Sequence, residues 1–304
     1  MARLFNAYIV VRWNAASKAT SAADSVWIGV LKRDVRFRFA FEALKPPTRA
    51  ETEKLLVGIL EERIKRRERT LLVVDFPLGL PRGLAAALKL PGPAPWRAVW
   101  DQVAKMVKDR PDNSNNRFGV GSEINRRLTG GPFPFWGCPA RDTLTTLKPK
   151  RGRPHGPGDI PEFRHVEIAA RTANPVWKLY FSGSVGGQTL LGIPMLRRLK
   201  MRFGEAMRVW PFETGYKAIT EAHLEGAEIV ALEADLTVAK PQPQPGEVKE
   251  AAQARALAEH LARLDEAGAL GVLFAPAKGA SADVILDAEA EEGWTLGVES
   301  GGRS

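Results

Sequence analysis

Leu71-Leu-Val-Val-Asp-Phe-Pro-Leu-Gly79 is a short apolar run that ends in one acid and then turns. Tyr8-Ile-Val-Val-Arg-Trp-Asn-Ala-Ala-Ser17 has the same shape, with a base in place of the acid. Continuous Leu/Ile/Val runs of this length, closed by Pro, Gly, Asn or Ala, read as strands buried on both faces that hand a charge to a sheet edge. One strand delivers Asp75 and the other Arg12. Working outward, Ala7 to Trp13, Ser25 to Lys32 and Val35 to Phe41 alternate as strands do, with Val35, Phe37, Phe39 and Phe41 on one face and Arg36 and Arg38 on the other. They predict a three-stranded meander. Lys45-Pro-Pro-Thr48 closes it, and Thr48 followed by Glu51 predicts a capped helix with Leu55, Leu56, Ile59, Leu60 and Ile64 on its apolar face and a solvated end over Glu61 to Arg69.

The order strand, strand, strand, helix, strand, with acids wanted at the ends of the first and fourth strands, is the opening of the ribonuclease H-like fold. The expected class is therefore α/β: a mixed sheet of that kind interrupted by a large insertion rich in Pro and Gly. Residues 1–90 are read as the first part of the core, 91–204 as the insertion and 205–304 as the second part with a long C-terminal helix. Helices are expected over Pro95 to Asp109, Gln188 to Phe203 and Glu247 to Ala267, and strands over Arg208 to Phe212 and Glu228 to Glu233. Lys148 to Pro161, dense in Pro, Gly, Lys and Arg, is the expected mobile loop.

With 304 residues and 44% hydrophobic content, the chain can bury a proper core. Its apolar stretches fall far short of the roughly 20 residues that cross a bilayer, and Met-Ala-Arg-Leu-Phe-Asn opens without a signal-peptide core, so no membrane partner and a cytoplasmic location are expected. A lone cysteine, Cys138, excludes an intramolecular disulfide framework, and histidines 155, 165, 223 and 260 have no zinc-type spacing. Charge is polarised: residues 221–304 carry 6 Lys and Arg against 16 Asp and Glu, and the rest carries 38 against 19. A basic region of that size attracts phosphate backbones, although docking on the acidic region would give the same statistics.

Several longer stretches carry a family likeness. They include Val74-Asp-Phe-Pro-Leu-Gly79, Pro111-Asp-Asn-Ser-Asn-Asn-Arg-Phe118 and Gly131-Pro-Phe-Pro-Phe-Trp-Gly-Cys-Pro139. Leu179-Tyr-Phe-Ser-Gly-Ser-Val-Gly-Gly-Gln188, Val209-Trp-Pro-Phe-Glu-Thr-Gly215 and Val248-Lys-Glu-Ala-Ala-Gln-Ala-Arg-Ala-Leu257 belong to the same set. Together they make the chain resemble an uncharacterised bacterial family of the ribonuclease H-like superfamily, some of whose members bear labels of cobalamin or molybdopterin cofactor biosynthesis. The resemblance implies a nuclease or phosphodiesterase lineage in which carboxylates hold magnesium, a hard ion that suits oxygen ligands. Carried over, Asp75, Glu233 and Glu250 would be catalytic metal ligands and Arg12 would contact the scissile phosphate. The family pattern has Asp where Arg12 stands, Asp where Glu250 stands and a Tyr-Pro-Ser-like run at Asp235-Leu-Thr237. Beside Asp75, a guanidinium would compete with the metal and impair catalysis while still clamping a phosphate.

Each candidate has a plainer reading: Asp75 as a turn-initiating aspartate, Glu250 as a helix-start acid, Glu233 as a solvent-facing strand end. Asn113, Asn116 and Arg117 are candidate ligand contacts or an asparagine-rich turn, and Glu213 is a site acid or a buried cap. Lys148, Lys150, Arg151 and Arg153 would guide a substrate in. Gly183-Ser-Val-Gly-Gly-Gln188 could offer backbone N–H groups to phosphate or be only a helix entry, and tryptophans 96, 100, 136, 177 and 210 could stack bases or fill the core. The expected partner is a nucleic acid or nucleotide. The alternatives are a non-catalytic module for a phosphate-rich partner and, from the labels alone, an accessory enzyme of cofactor biosynthesis.

Overall fold

The computed structural model describes residues 3–19, 25–34, 36, 38–172 and 174–299. Its centre is a mixed seven-stranded sheet that runs from β3 (Phe39–Leu44) through β2 (Trp27–Arg33), β1 (Ala7–Arg12), β4 (Thr70–Val74) and β6 (Ile229–Ala234) to β5 (Met207–Val209), with β7 (Thr295–Leu296) also on β6. β1 (Ala7–Arg12), β2 (Trp27–Arg33) and β3 (Phe39–Leu44) form the antiparallel meander, and α1 (Arg49–Lys65) leads to β4 (Thr70–Val74), which lies parallel to β1. The meander's third strand lies further along than the alternation suggested, and Val35 and Phe37 fall outside the described residues. The Thr48 hydroxyl accepts from Glu51 N–H, as its cap spacing predicts, while α1 buries Leu56 and Leu60 and leaves Leu55 exposed.

Then follow α2 (Leu84–Ala87), α3 (Pro95–Met106), α4 (Arg117–Thr129), α5 (His165–Ala169) and α6 (Gly186–Phe203), before β5 (Met207–Val209) and β6 (Ile229–Ala234) return to the sheet. α7 (Lys249–Glu266), α8 (Ala282–Asp287) and β7 (Thr295–Leu296) end the order. β5 borders the first half of β6 and β7 its last two residues, all three parallel.

Side chains alternate across the sheet, so each strand feeds two cores. Ile9, Val11, Leu72, Val74 and Ala231 pack with α1, α3, α4 and α6 residues such as Leu60, Trp100, Ile124 and Leu196. Tyr8, Val10, Val73, Val230 and Leu232 pack with Leu257 and Leu261 of α7 and with Trp210, Phe274 and Trp294. Residues from 91–204 thus share one core with the strands. Trp96, Trp100, Trp177 and Trp210 are buried in these layers and Trp136 packs at the edge of the first.

Because β1, β4 and β6 are parallel, their carboxyl ends meet at one edge, with Val11 beside Val74 and Val74 beside Glu233. In an open α/β sheet, crevices beyond the carboxyl ends of the strands are where ligands bind.

Candidate functional site

Two adjoining clefts open at that edge. The first, about 590 Å³, is lined by Arg12, Asp75, Glu233, Asp235 and Gln253 among others. The second, about 930 Å³, extends over Asn14–Ala19 towards Arg117, Arg141 and Tyr180, and shares Arg12, Ser184 and Gln188 with the first.

Asp75 follows β4 directly, and its Oδ1 accepts the Trp13 N–H at 2.7 Å, tying the ends of β4 and β1 together. Its carboxyl is pushed up to about 7, mainly by burial; Trp13 N–H and the Arg12 charge oppose the rise and Asp235 adds to it. Among the described residues Arg12 makes no ion pair with Asp75, and its Nη1 reaches the Ser25 carbonyl at 3.5 Å. Gln188, from the first turn of α6, donates to the Trp13 carbonyl at 2.9 Å and fixes the helix against the end of β1.

Glu233 lines the same cleft as Asp75 but is held differently; the ladder pairs it with Val74, the residue before Asp75. Both Glu233 oxygens are committed: Arg164 clamps them with two bonds of 2.9 Å, Leu78 N–H donates at 3.0 Å and the Thr295 hydroxyl at 2.6 Å. Arg164 is 2% exposed and also holds Glu167; burial disfavours its charge, and the Glu233 and Glu167 carboxylates outweigh it. Such an enclosed guanidinium–carboxylate pair, with its spare valences met, is a joint between the loop before α5, the β4 turn and β6.

Glu250 is buried one residue inside α7 and does not line the first cleft, where Gln253, one turn on, takes that place. Among the described residues no three His, Cys, Asp or Glu side chains are grouped to hold a metal ion. The donor set expected for magnesium does not fit: Glu233 is occupied by Arg164, Glu250 does not line the cleft that Asp75 lines, and Arg12 adds a positive charge at Asp75.

The expected ligand contacts divide in the same way. Arg117 lines the second cleft. Asn113, 1% exposed, accepts the Arg49 N–H and holds the loop at Lys18, whereas Asn116 closes the end of α3 through Lys108 N–H and the Met106 carbonyl. Glu213 is a half-buried cap, accepting Val209 N–H and pairing with Arg97 and Lys200 at 3.0 Å each. Arg151 pairs with Glu162 and Arg153 with Asp159. None of these, nor Lys148 or Lys150, lines either cleft. Among the residues that do and went unassigned are Arg164, Asp235, Arg141, Tyr180 and Phe181; Asp235 carries a readable signal as the acid directly after an apolar strand.

The first two residues of α6, both glycines, are fixed by space. A Cβ on Gly186 would sit 2.0 Å from the Val176 carbonyl oxygen, and one on Gly187 would sit 2.7 Å from the Leu179 carbonyl oxygen and 3.3 Å from Arg117 Cδ. The helix entry therefore presses its backbone against the loop and the arginine. No family model, curated protein or solved structure matches the chain.

Proposed function

We propose that this chain is a ribonuclease H-like protein that binds a nucleic acid or nucleotide at the carboxyl edge of its sheet, without a metal-dependent nuclease centre there. The sheet order supports that lineage: an antiparallel meander continued by parallel strands on the β1 side, with the polar clefts where the first and fourth strands end. The observation that carries the reading is the Arg164–Glu233 clamp, which engages the carboxylate a metal would need and leaves Arg12 between the two clefts. Arg12 can then meet a phosphate oxygen, as guanidinium groups do bidentately.

The test is fluorescence anisotropy with a labelled single-stranded oligonucleotide across a salt series, beside a cleavage assay with magnesium. Binding that weakens with salt and with Arg12→Ala, without strand cleavage, is expected. Cleavage abolished by Asp75→Asn, or no binding of either the oligonucleotide or a free nucleotide even at low salt, overturns the proposal.

A further inference from the structure

The second cleft has features that the first does not explain. Arg117, the first residue of α4, is 4% exposed and lines the cleft, and among the described residues it forms no ion pair. Its Nη1 is held by the Ser17 hydroxyl at 3.0 Å and Asn115 Oδ1 at 2.8 Å, while its buried Nε has no partner. Burial and the Arg49 charge push its pKa down to about 10, so the charge is held at a cost that an anion would relieve. An enclosed guanidinium without a carboxylate is a charge left open for a ligand.

Beside it lies the amino end of α6. Gly186 N–H is taken by the Lys178 carbonyl and Thr189 N–H by the Val185 carbonyl, but among the described residues the N–H groups of Gly187 and Gln188 find no acceptor. Gly187 packs against the Arg117 stem, so the unpaired donors and the guanidinium border the same space. Arg141 and Lys18 line the cleft further out, and Asp142, also in its lining, is the carboxylate that would oppose an anion.

The outer wall is aromatic. Tyr180 and Phe181 are exposed at 39% and 48%, their ring centres 4.9 Å apart, and Phe118 meets Tyr180 edge-on at 6.0 Å. Phe181 holds a φ of +76°, a conformation that a bulky side chain adopts at a cost, and here it keeps the pair at the cleft mouth.

We propose that this cleft is a nucleotide subsite in which Arg117 and the amino end of α6 take a phosphate monoester and Tyr180 and Phe181 stack on the attached base. The proposal rests on the phosphate-binding reading above and narrows it to one terminal or free nucleotide. A buried guanidinium and helix donors match a compact dianion, and the aromatic wall matches a flat heterocycle.

The experiment is calorimetric titration of the intact chain with adenosine 5′-monophosphate, adenosine and inorganic phosphate, beside the oligonucleotide assay. The monophosphate is expected to bind at least tenfold more tightly than adenosine. Tyr180→Ala is expected to weaken the monophosphate by about 5- to 100-fold, the range of base–aromatic stacking, and to leave inorganic phosphate unchanged. Arg117→Gln is expected to remove both ligands; because it changes a buried group, the exposed Tyr180 variant decides the matter should that protein fail to fold. Equal affinity for adenosine and its monophosphate, or Tyr180→Ala without effect, overturns the proposal. Oligonucleotide binding without monophosphate binding overturns the subsite alone, whereas monophosphate binding without oligonucleotide binding keeps the subsite and limits the wider reading to free nucleotides.

Discussion

Asp75 is the residue whose surroundings yield the sharpest expectation. Its folded pKa of about 7 lies above the ordinary 3.8, because burial outweighs the Trp13 N–H bond and the Arg12 charge. Between pH 4 and 7 the unfolded chain has released this proton while the folded chain still holds it. The contribution is therefore fully present below about pH 4 and lost as pH rises through 7. Asp75→Asn keeps an oxygen for Trp13 N–H and removes the titration, so it is expected to raise stability at pH 8 by on the order of 2 to 4 kcal/mol and to change little at pH 4. Chemical denaturation at the two pH values checks this; equal effects at both would refute it. Arg164 works in the opposite sense. Arg164→Met leaves Glu233 buried without its clamp and is expected to destabilise by about 3 to 5 kcal/mol, with Arg164→Met/Glu233→Met recovering much of the loss. Denaturant midpoints of the two variants measure it.

At the scale of elements, α1 and α6 each contain a glycine that the helix does not need, and their surroundings set opposite signs. Gly58 is exposed with nothing within 4 Å of a built Cβ, so Gly58→Ala is expected to stabilise α1 by about 0.5 to 1 kcal/mol. A Cβ on Gly192 would come within 2.3 Å of the Phe76 ring, so Gly192→Ala is expected to destabilise by about 1 to 3 kcal/mol despite its better helix propensity. Thermal unfolding of both variants tests whether space, rather than propensity, decides. The same contrast separates what could be read in the chain from what could not. Apolar runs and cap residues are local, so β1, β4, β6, α1 and α7 were legible to within a few residues, as was the convergence of Arg12 and Asp75 at one edge. The commitments of Glu233 were not, because Arg164 lies 69 positions away in a stretch without periodicity. Asn113, Asn116 and Glu213 looked like ligand contacts because polar side chains that satisfy buried backbone groups use the same residue types as those that bind.

For the whole molecule, the net charge of +9 hides a basic body and an acidic tail section, and the fold brings the two together. α7 lies over β1 and β2, with Glu266 paired to Arg33, while Asp287 and Glu292 meet Arg82. Part of the excess base is thus neutralised within the fold, and the remainder matters where it lines a cleft. Arg12, Lys18, Arg117 and Arg141 all border the larger one. If a single strand runs along this edge and these four groups neutralise its phosphates, each contributes a slope of about −0.7 in log affinity against log salt, so roughly −3 in total is expected. Arg12→Ala and Arg141→Ala are each expected to reduce that slope by about 0.7, whereas Arg153→Ala, whose guanidinium is held by Asp159 outside the clefts, is expected to leave it unchanged. Oligonucleotide anisotropy between 50 and 200 mM salt, about the range over which such contacts are lost, measures all three. A slope carried equally by Arg153 would mean that the protein meets its partner through diffuse surface charge, and would remove the clefts from the account of binding.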